Sequence, residues 1–550
     1  MHGTLPVRPS QLAGMDPFEL KDELIRLARV SSRRDARLLL NAGRGNPDWL
    51  AVAPREAFFL LGGFAIALAR AARGSREPGA ATSKDGIAAR FRLYLRGLPV
   101  SPGRTLLRAV LQHAESKRQV DVDEFVHELA DGISGNYYPE PPRMLPHVER
   151  IVRRYLVKEL CRDVKPRGEL NLFAVEGATA GICYVFDSLI QNGLLKKGDR
   201  IALAVPIFAP YVELPELDRY AFKIVQIRAV ESNSDGSHAW QYPDSEIDRL
   251  RDSSIKALFV VNPSNPPSFA MRDSTMRRLA AIVRKQRPDL LIISDDVYAP
   301  FVDRYRSLLS VLPTNTIGLF SFSKYFGTTG WRLGVIAIHQ NFIGNKLISR
   351  LPPAKRKSIN RNYRHLVVNP DSLVFIDRVV ADSRRVALKH TAGLSTPQQV
   401  QMALLALSEI TDISGRYRRS IRELLSGRLK ALYAGLEAPL SYEPLRAGYY
   451  CELDLMAWAV NRHGEYFAKY LARTHDPLDL VLTLARESAI VVLPCGGFAG
   501  PPWSVRVSLA NLPESACHEI GRAIVRITAR YVGQWRRTQG MSRVSPGGPS

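Results

Sequence analysis

SFSKYFGTTGWRLG, residues 321–334, separates two short apolar runs, IGLF (317–320) and GVIAI (334–338). Two such runs joined by a polar segment read as strands, and the segment then sits at a strand end. In open α/β sheets, ligands bind in the crevice beyond the carboxyl ends of the strands. There Lys324 follows Ser321 and Ser323, and Arg332 lies eight residues further on. A lysine crowded by other cations at such a place loses basicity and becomes a nucleophile. An isolated lysine is usually only a surface charge, so the reading depends on what else reaches the same crevice.

Four other runs, LFAV (172–175), IALAV (201–205), ALFVV (257–261) and LLII (290–293), alternate with helical patterns. That alternation predicts an α/β domain with a mostly parallel sheet covered on both faces. Each run leads into polar or aromatic residues. After LFAV, EGATAG (176–181) opens a helix with small residues, a turn whose free N–H groups suit a phosphate. After IALAV, PIFAPY (206–211) offers Phe208 as a flat plate. NPSNPPS (262–268) makes a rigid turn carrying Asn265, and SDDVY (294–298) places a carboxylate at a strand end. Singly, each has an ordinary structural explanation; together they converge on one sheet edge.

Outside this core, Pro17 to Leu27 reads as a helix, and 74–86 as a polar, glycine-rich mobile loop. Residues 87–130 are helical and amphipathic until GNYYPEPPRM (135–144) interrupts them. We expect an N-terminal segment with a helical insertion (1–135), partly joining the smaller domain. A large domain (136–375), a C-terminal small α+β domain (376–535) and a disordered tail (536–550) follow. The most apolar stretch, Ala57 to Ala69, is too short for a membrane span and predicts a buried helix. The start of the chain lacks the apolar core of a secretory signal. The five cysteines (161, 183, 451, 495, 517) have no paired metal-type spacing, as in a reduced cytoplasmic protein without a metal site. The 76 basic against 53 acidic residues leave a net charge of +23. No nucleic-acid-binding motif accompanies it, so anionic small molecules are the expected partners, with neither nucleic acid nor membrane.

The strand-end set resembles the fold-type-I pyridoxal-5′-phosphate enzymes, the aspartate aminotransferase superfamily. That resemblance implies a mostly parallel seven-stranded sheet in the large domain and pyridoxal 5′-phosphate as cofactor. It implies Lys324 as the amine that bonds the cofactor and later moves the substrate Cα proton. Asp295 would pair with the ring nitrogen, chosen over Asp296 by the Asp-x-x-Tyr spacing. Asn265 and Tyr298 would hold the phenolic oxygen, Phe208 would stack on the ring, and Ala178, Thr179, Ser321, Ser323 and Arg332 would hold the phosphate. Arg506, in VRVSLAN, would clamp the substrate α-carboxylate, with Arg44 and Arg384 as candidates for the second cation. Tyr137 and Tyr138 compete for a contact to the neighbouring subunit, Tyr138 being the choice.

Longer segments, among them NAGRGNPDW, PIFAPYVELPELDRY and HTAGLSTPQQVQMALLAL, resemble the bacterial aspartate 4-decarboxylase family. This implies loss of the β-carboxylate of L-aspartate to give L-alanine and CO2, with transamination as a side activity. It also implies a homo-oligomer, at least a dimer, with dodecamers among that family's assemblies. The chain departs from the family pattern at Ala178, Cys495, Ala499 and Pro502. A plain aminotransferase shares every cofactor residue and is the alternative. A DNA-binding regulator of the same fold is the remote one, since too little chain precedes GRGNP for a winged helix.

Overall fold

The computed structural model describes residues 9–12, 15–74, 77–81, 83–117, 120–234, 236–384 and 393–542. All six apolar runs become strands of one seven-stranded sheet: β1 (Leu170–Val175), β2 (Arg200–Val205), β4 (Ile255–Val261), β5 (Leu291–Asp295), β6 (Thr316–Ser321) and β7 (Gly334–His339). The seventh, β3 (Lys223–Arg228), is an edge strand with both terminal residues exposed. Its mixed sequence, KIVQIR, is what one covered face and one open edge require. The order is β1-β7-β6-β5-β4-β2-β3; only β7 runs antiparallel to its neighbours, β1 and β6.

That antiparallel strand positions the site. Gly334 pairs with Ser321 on one side and with Val175 on the other. Residues 322–333 are thereby closed into a loop beside the 176–181 turn. A Cβ on Gly334 would lie 2.5 Å from the carbonyl carbon of Gly177, so only glycine permits this approach. The sheet is covered on both sides. Leu258 and Val260 pack with Met276, Leu279 and Val283 of helix Asp273–Lys285, while Phe259 enters the opposite core with Phe186 and Leu203. Burying a side chain such as Phe259 stabilises by roughly 1.5–3 kcal/mol.

A second, antiparallel sheet has β8 (Tyr450–Asp454), β9 (Leu493–Pro494) and β10 (Ser504–Ser508) in the order β9-β10-β8. Leu40–Asn41 pairs in parallel with Ile490–Val491. The N-terminal segment therefore packs against the C-terminal region as well as beside the main sheet.

Three expectations need correction. The helix predicted over 17–27 continues to Arg34; its last turn carries Arg33 and Arg34, which suit a helix C-terminus. The buried helix at 57–69 is part of Val52–Ala71, which buries Ala57, Leu61 and Phe64 but exposes Phe59 and Ile66. It is long and apolar enough to cross a membrane by length and composition, and here it packs on helices Pro102–Glu115 and Val122–Ser134. The disordered tail expected from 536 is helical through Ser542, because helix Glu514–Ser542 meets no proline there; 543–550 lie outside the described residues. Of the loop at 74–86, residues 75, 76 and 82 also lie outside them.

Candidate active site

A cavity of about 760 Å³ lies at the carboxyl ends of β4, β5 and β6. It is lined by Ala178, Thr179, Phe208, Asn265, Asp295, Tyr298, Ser321, Ser323, Lys324, Arg332, Arg44 and Arg506, so all but two of the expected site residues, Arg384 and Tyr138, meet here. Lys324 Nζ donates to the Gly45 carbonyl at 2.9 Å. Burial lowers its pKa, and the nearby Arg506 and Arg332 act in the same direction, as a nucleophilic amine requires.

Asp295 ends β5 almost wholly buried, and burial raises its pKa to about 6. Its Oδ1 accepts from the Val297 N–H at 3.3 Å and its Oδ2 from the Tyr211 hydroxyl at 3.4 Å. No cation forms a salt bridge with it among the described residues. Asp296 faces away and is held by Tyr305, Ser307 and Ser294, so the Asp-x-x-Tyr spacing selects the carboxylate that faces the cavity.

Arg506 on β10 donates to Asn265 Oδ1 (3.3 Å) and to the Gly43 carbonyl (3.1 Å), and its Nε has no partner. Its guanidinium lies 4.3 Å from the centre of the Tyr450 ring. Tyr450 is one of the residues that the sequence reading missed. Its hydroxyl meets that of Tyr298 at 3.5 Å. Burial alone would raise its pKa, but Lys324 and Arg506 outweigh this and lower it.

One end of the cavity is a cradle. Helix Ala178–Gln191 starts without a side-chain cap, leaving its first N–H groups directed outward. Gly177 has φ +91°, and a Cβ there would lie 2.5 Å from an Arg332 guanidinium nitrogen. Arg332 donates to the carbonyls of Glu176 (3.2 Å) and Thr329 (3.1 Å), and the hydroxyls of Ser321 and Ser323 are 2.9 Å apart.

Two predicted residues do not line the cavity. Arg384 follows helix Phe375–Ser383, half-buried, and is not among the residues that line the cavity. Tyr138 is exposed on the surface, whereas Tyr137 packs against the core. Conversely, Phe18, Lys21, Asp22, Ile25 and Arg29 of helix Pro17–Arg34 line the cavity, and the edge of Phe18 meets Phe208 with 6.4 Å between ring centres. In the sequence only the helical pattern over 17–27 pointed to them; it stopped short of Arg29 and does not say which cavity the helix covers.

Residues 169–524 match the family described as aminotransferase class I and II. The chain belongs to that family. Over 527 residues it is 45% identical to a Pseudomonas protein named bifunctional aspartate aminotransferase and L-aspartate beta-decarboxylase, covering 96% of this chain and 98% of that one. It is 28% identical over 199 residues to an aspartate aminotransferase of Pyrococcus horikoshii, 36% of this chain and 46% of that one. The solved structure of a Thermus thermophilus aspartate aminotransferase double mutant superposes with a TM-score of 0.57 at 17% identity. It covers 95% of this chain and all of that one, which shows the shared fold.

Class I and II aminotransferases use pyridoxal 5′-phosphate, and the cavity of this family member suits it. The uncapped helix start, the two serines and Arg332 match a phosphate. Asp295 is a buried carboxylate without a salt bridge, matching a cationic ring nitrogen. Asn265 and Tyr298 can meet a phenolic oxygen, Phe208 the ring face, and Lys324 the aldehyde.

Proposed function

We propose that the protein removes the β-carboxylate of L-aspartate, yielding L-alanine and CO2, and transaminates aspartate as a side activity. The observation that carries this is the 45% identity to the bifunctional Pseudomonas protein over nearly the whole of both chains. It extends well beyond residues 169–524, the aminotransferase match. The cavity supports it, because Lys21, Arg29, Arg44 and Arg506 line it in addition to Lys324 and Arg332. A phosphate and a substrate with two carboxylates call for such a cationic surplus.

When bound, pyridoxal 5′-phosphate supplies an electron sink conjugated to the substrate's amino nitrogen. Asp295 would pair with the protonated ring nitrogen and so maintain that sink. Arg506 forks onto the α-carboxylate and fixes the Cα–H bond within reach of Lys324, which takes the proton as general base. The β-carboxylate departs as CO2 and leaves its bonding electrons on Cβ. Cβ then takes one proton and Cα regains one, so aspartate becomes alanine without an added oxo acid. Arg44 is the candidate cation for the departing carboxylate.

The same reading keeps the division of the chain at residues 135 and 375. It also describes a cytoplasmic homo-oligomer, at least dimeric and up to a dodecamer. In its support, the five cysteines are unpaired thiols and Tyr138 is presented at the surface. An NMR time course with aspartate and pyridoxal phosphate, beside Lys324→Ala, tests the activity. Stoichiometric alanine and CO2, lost in the variant, are expected. Oxaloacetate appearing only when an amino acceptor is added would assign a plain aminotransferase instead.

A further inference from the structure

Release of CO2 from aspartate with alanine as product consumes a proton. Cβ gains one and Cα regains one, yet Lys324 takes only one, from Cα. Under the decarboxylase reading, on which this inference rests, the other must be delivered to Cβ inside the cavity. That calls for a group holding a transferable proton beside Lys324.

Tyr450 opens β8, is buried and lines the cavity. A Cβ on Gly45 would lie 2.8 Å from its hydroxyl oxygen and 3.4 Å from Lys324 Nζ, so hydroxyl and amine border one small space that the missing side chain leaves open. The Arg506 guanidinium lies over the same ring. A substrate gripped by Arg506 with its Cα–H at Lys324 therefore passes alongside Tyr450. The direction of the hydrogen bonds is a second, independent observation. Asn265 Nδ2 donates to the Tyr298 hydroxyl and Tyr298 donates to that of Tyr450, each at 3.5 Å. Tyr450 thus receives from within the protein and its own proton is left for the cavity. Tyr449, the neighbouring phenol, spends its proton on the Gly45 carbonyl at 2.7 Å. Burial opposes ionisation of Tyr450, but Lys324, Arg506 and the Tyr298 hydrogen bond together lower its pKa. Lys324 is fully charged just after it takes the Cα proton, which makes its neighbour a better acid when Cβ needs one.

We propose that Tyr450 is a catalytic acid of this site, giving its hydroxyl proton to Cβ after CO2 departs. The Tyr450 O–H bond breaks as a C–H bond forms at Cβ from the electron pair that CO2 leaves behind. The resulting phenolate, beside the Lys324 ammonium and Arg506, regains a proton from solvent. Lys324 returns to Cα the proton it took. One solvent proton is consumed for each CO2 released, and the balance closes.

Two measurements test this. The first is rapid-quench kinetics of the cofactor-loaded protein with aspartate, following CO2 and alanine separately. In the unaltered protein the two appear together. In Tyr450→Phe, about one CO2 per site should leave in a fast first phase, with alanine following about a hundredfold more slowly. CO2 and alanine slowed by the same factor, or neither slowed, would overturn the proposal, since a merely structural role delays both alike. The second measurement needs neither cofactor nor turnover. Phenolate absorbance of the cofactor-free protein, titrated with base, should show one tyrosine ionising below the ordinary value of about 10. That step should vanish in Tyr450→Phe and move upward in Lys324→Ala, where the neighbouring positive charge is gone. No such step, or one that Lys324→Ala leaves in place, would also overturn it. Should Tyr450→Phe fail to fold, the titrations of the unaltered protein and Lys324→Ala decide the matter. Failure of the decarboxylase reading is recognised apart from all this: the unaltered protein would then release no CO2 from aspartate, and the role of Tyr450 at Cβ would fall with it.

Discussion

Asp295 ties cofactor affinity to pH in a way that one variant can isolate. Its carboxyl is buried and has a pKa of about 6 with only a backbone N–H and a tyrosine hydroxyl for partners. A cationic ring nitrogen pairs only with the ionised form. At pH 7.5 nearly all of the free protein already carries that form. A charge-assisted hydrogen bond in a dry site contributes about 1.5–3 kcal/mol, so Asp295→Asn should weaken cofactor binding about ten- to a hundredfold there. At pH 5, one unit below the pKa, about one free molecule in eleven is ionised. Deprotonation then opposes binding, and the affinity of the unaltered protein falls about tenfold through this group. The cofactor phosphate and Lys324 also titrate, but they do so in both proteins and cancel in the comparison. The measurement is cofactor dissociation, followed by absorbance and fluorescence, for both proteins at pH 5, 6 and 7.5. The gap between them should shrink about tenfold from pH 7.5 to pH 5. A gap of constant size would refute the argument, as would an Asn variant that binds as tightly as the unaltered protein at pH 7.5.

Other expectations follow from the same geometry. Gly177→Ala forces an alanine to φ +91° and its Cβ to within 2.5 Å of Arg332; displacement of Arg332 should weaken cofactor retention about tenfold or more in equilibrium dialysis, without loss of the folded circular-dichroism signal. Arg506→Lys keeps the charge but loses the fork, so KM for aspartate should rise about ten- to a hundredfold with a smaller change in kcat; an unchanged KM would mean that another cation holds the α-carboxylate. Arg418 is hydrogen-bonded to both Glu159 and Glu409, two carboxylates that are almost fully buried. Arg418→Met leaves both carboxylates without a cation, Glu409 keeping only the Tyr325 hydroxyl, and should cost about 3–5 kcal/mol in denaturant unfolding at neutral pH.

Most of what the sequence made legible belongs to places where chemistry and backbone geometry coincide. The runs that became β4, β5 and β6 are apolar throughout because both faces of the sheet are covered, and their polar successors mark the crevice. Asp295 was distinguishable from Asp296 only through its spacing to Tyr298; the structure gives the reason, since consecutive residues at a strand end face opposite sides. Features that depend on distant parts of the chain stayed hidden. β3 escaped notice because an edge strand keeps charges at its ends. Tyr450 stands in GYYCELD, where nothing local says that β8 will place its hydroxyl beside Tyr298 and its ring against Arg506.

The roof of the site is the clearest case of that limit, and it bears on how the substrate is chosen. Helix Pro17–Arg34 has an apolar stripe of Leu20, Leu24 and Ala28 that faces the core, which explains why it is a helix and which side it buries. Lys21, Ile25 and Arg29 recur at four-residue spacing on a neighbouring face, so whatever that stripe buries also fixes their direction. The stripe packs chiefly on helix Pro477–Ser488, the helix leading into Ile490–Val491 and β9, while Arg506 is carried by the adjacent strand β10. The roof cations and the carboxylate clamp thus rest on one packed unit, and the lysine and phosphate cradle on the seven-stranded sheet. In the proposed reading, a substrate with two carboxylates draws on Lys21 and Arg29 of the N-terminal helix as well as on the residues at the strand ends.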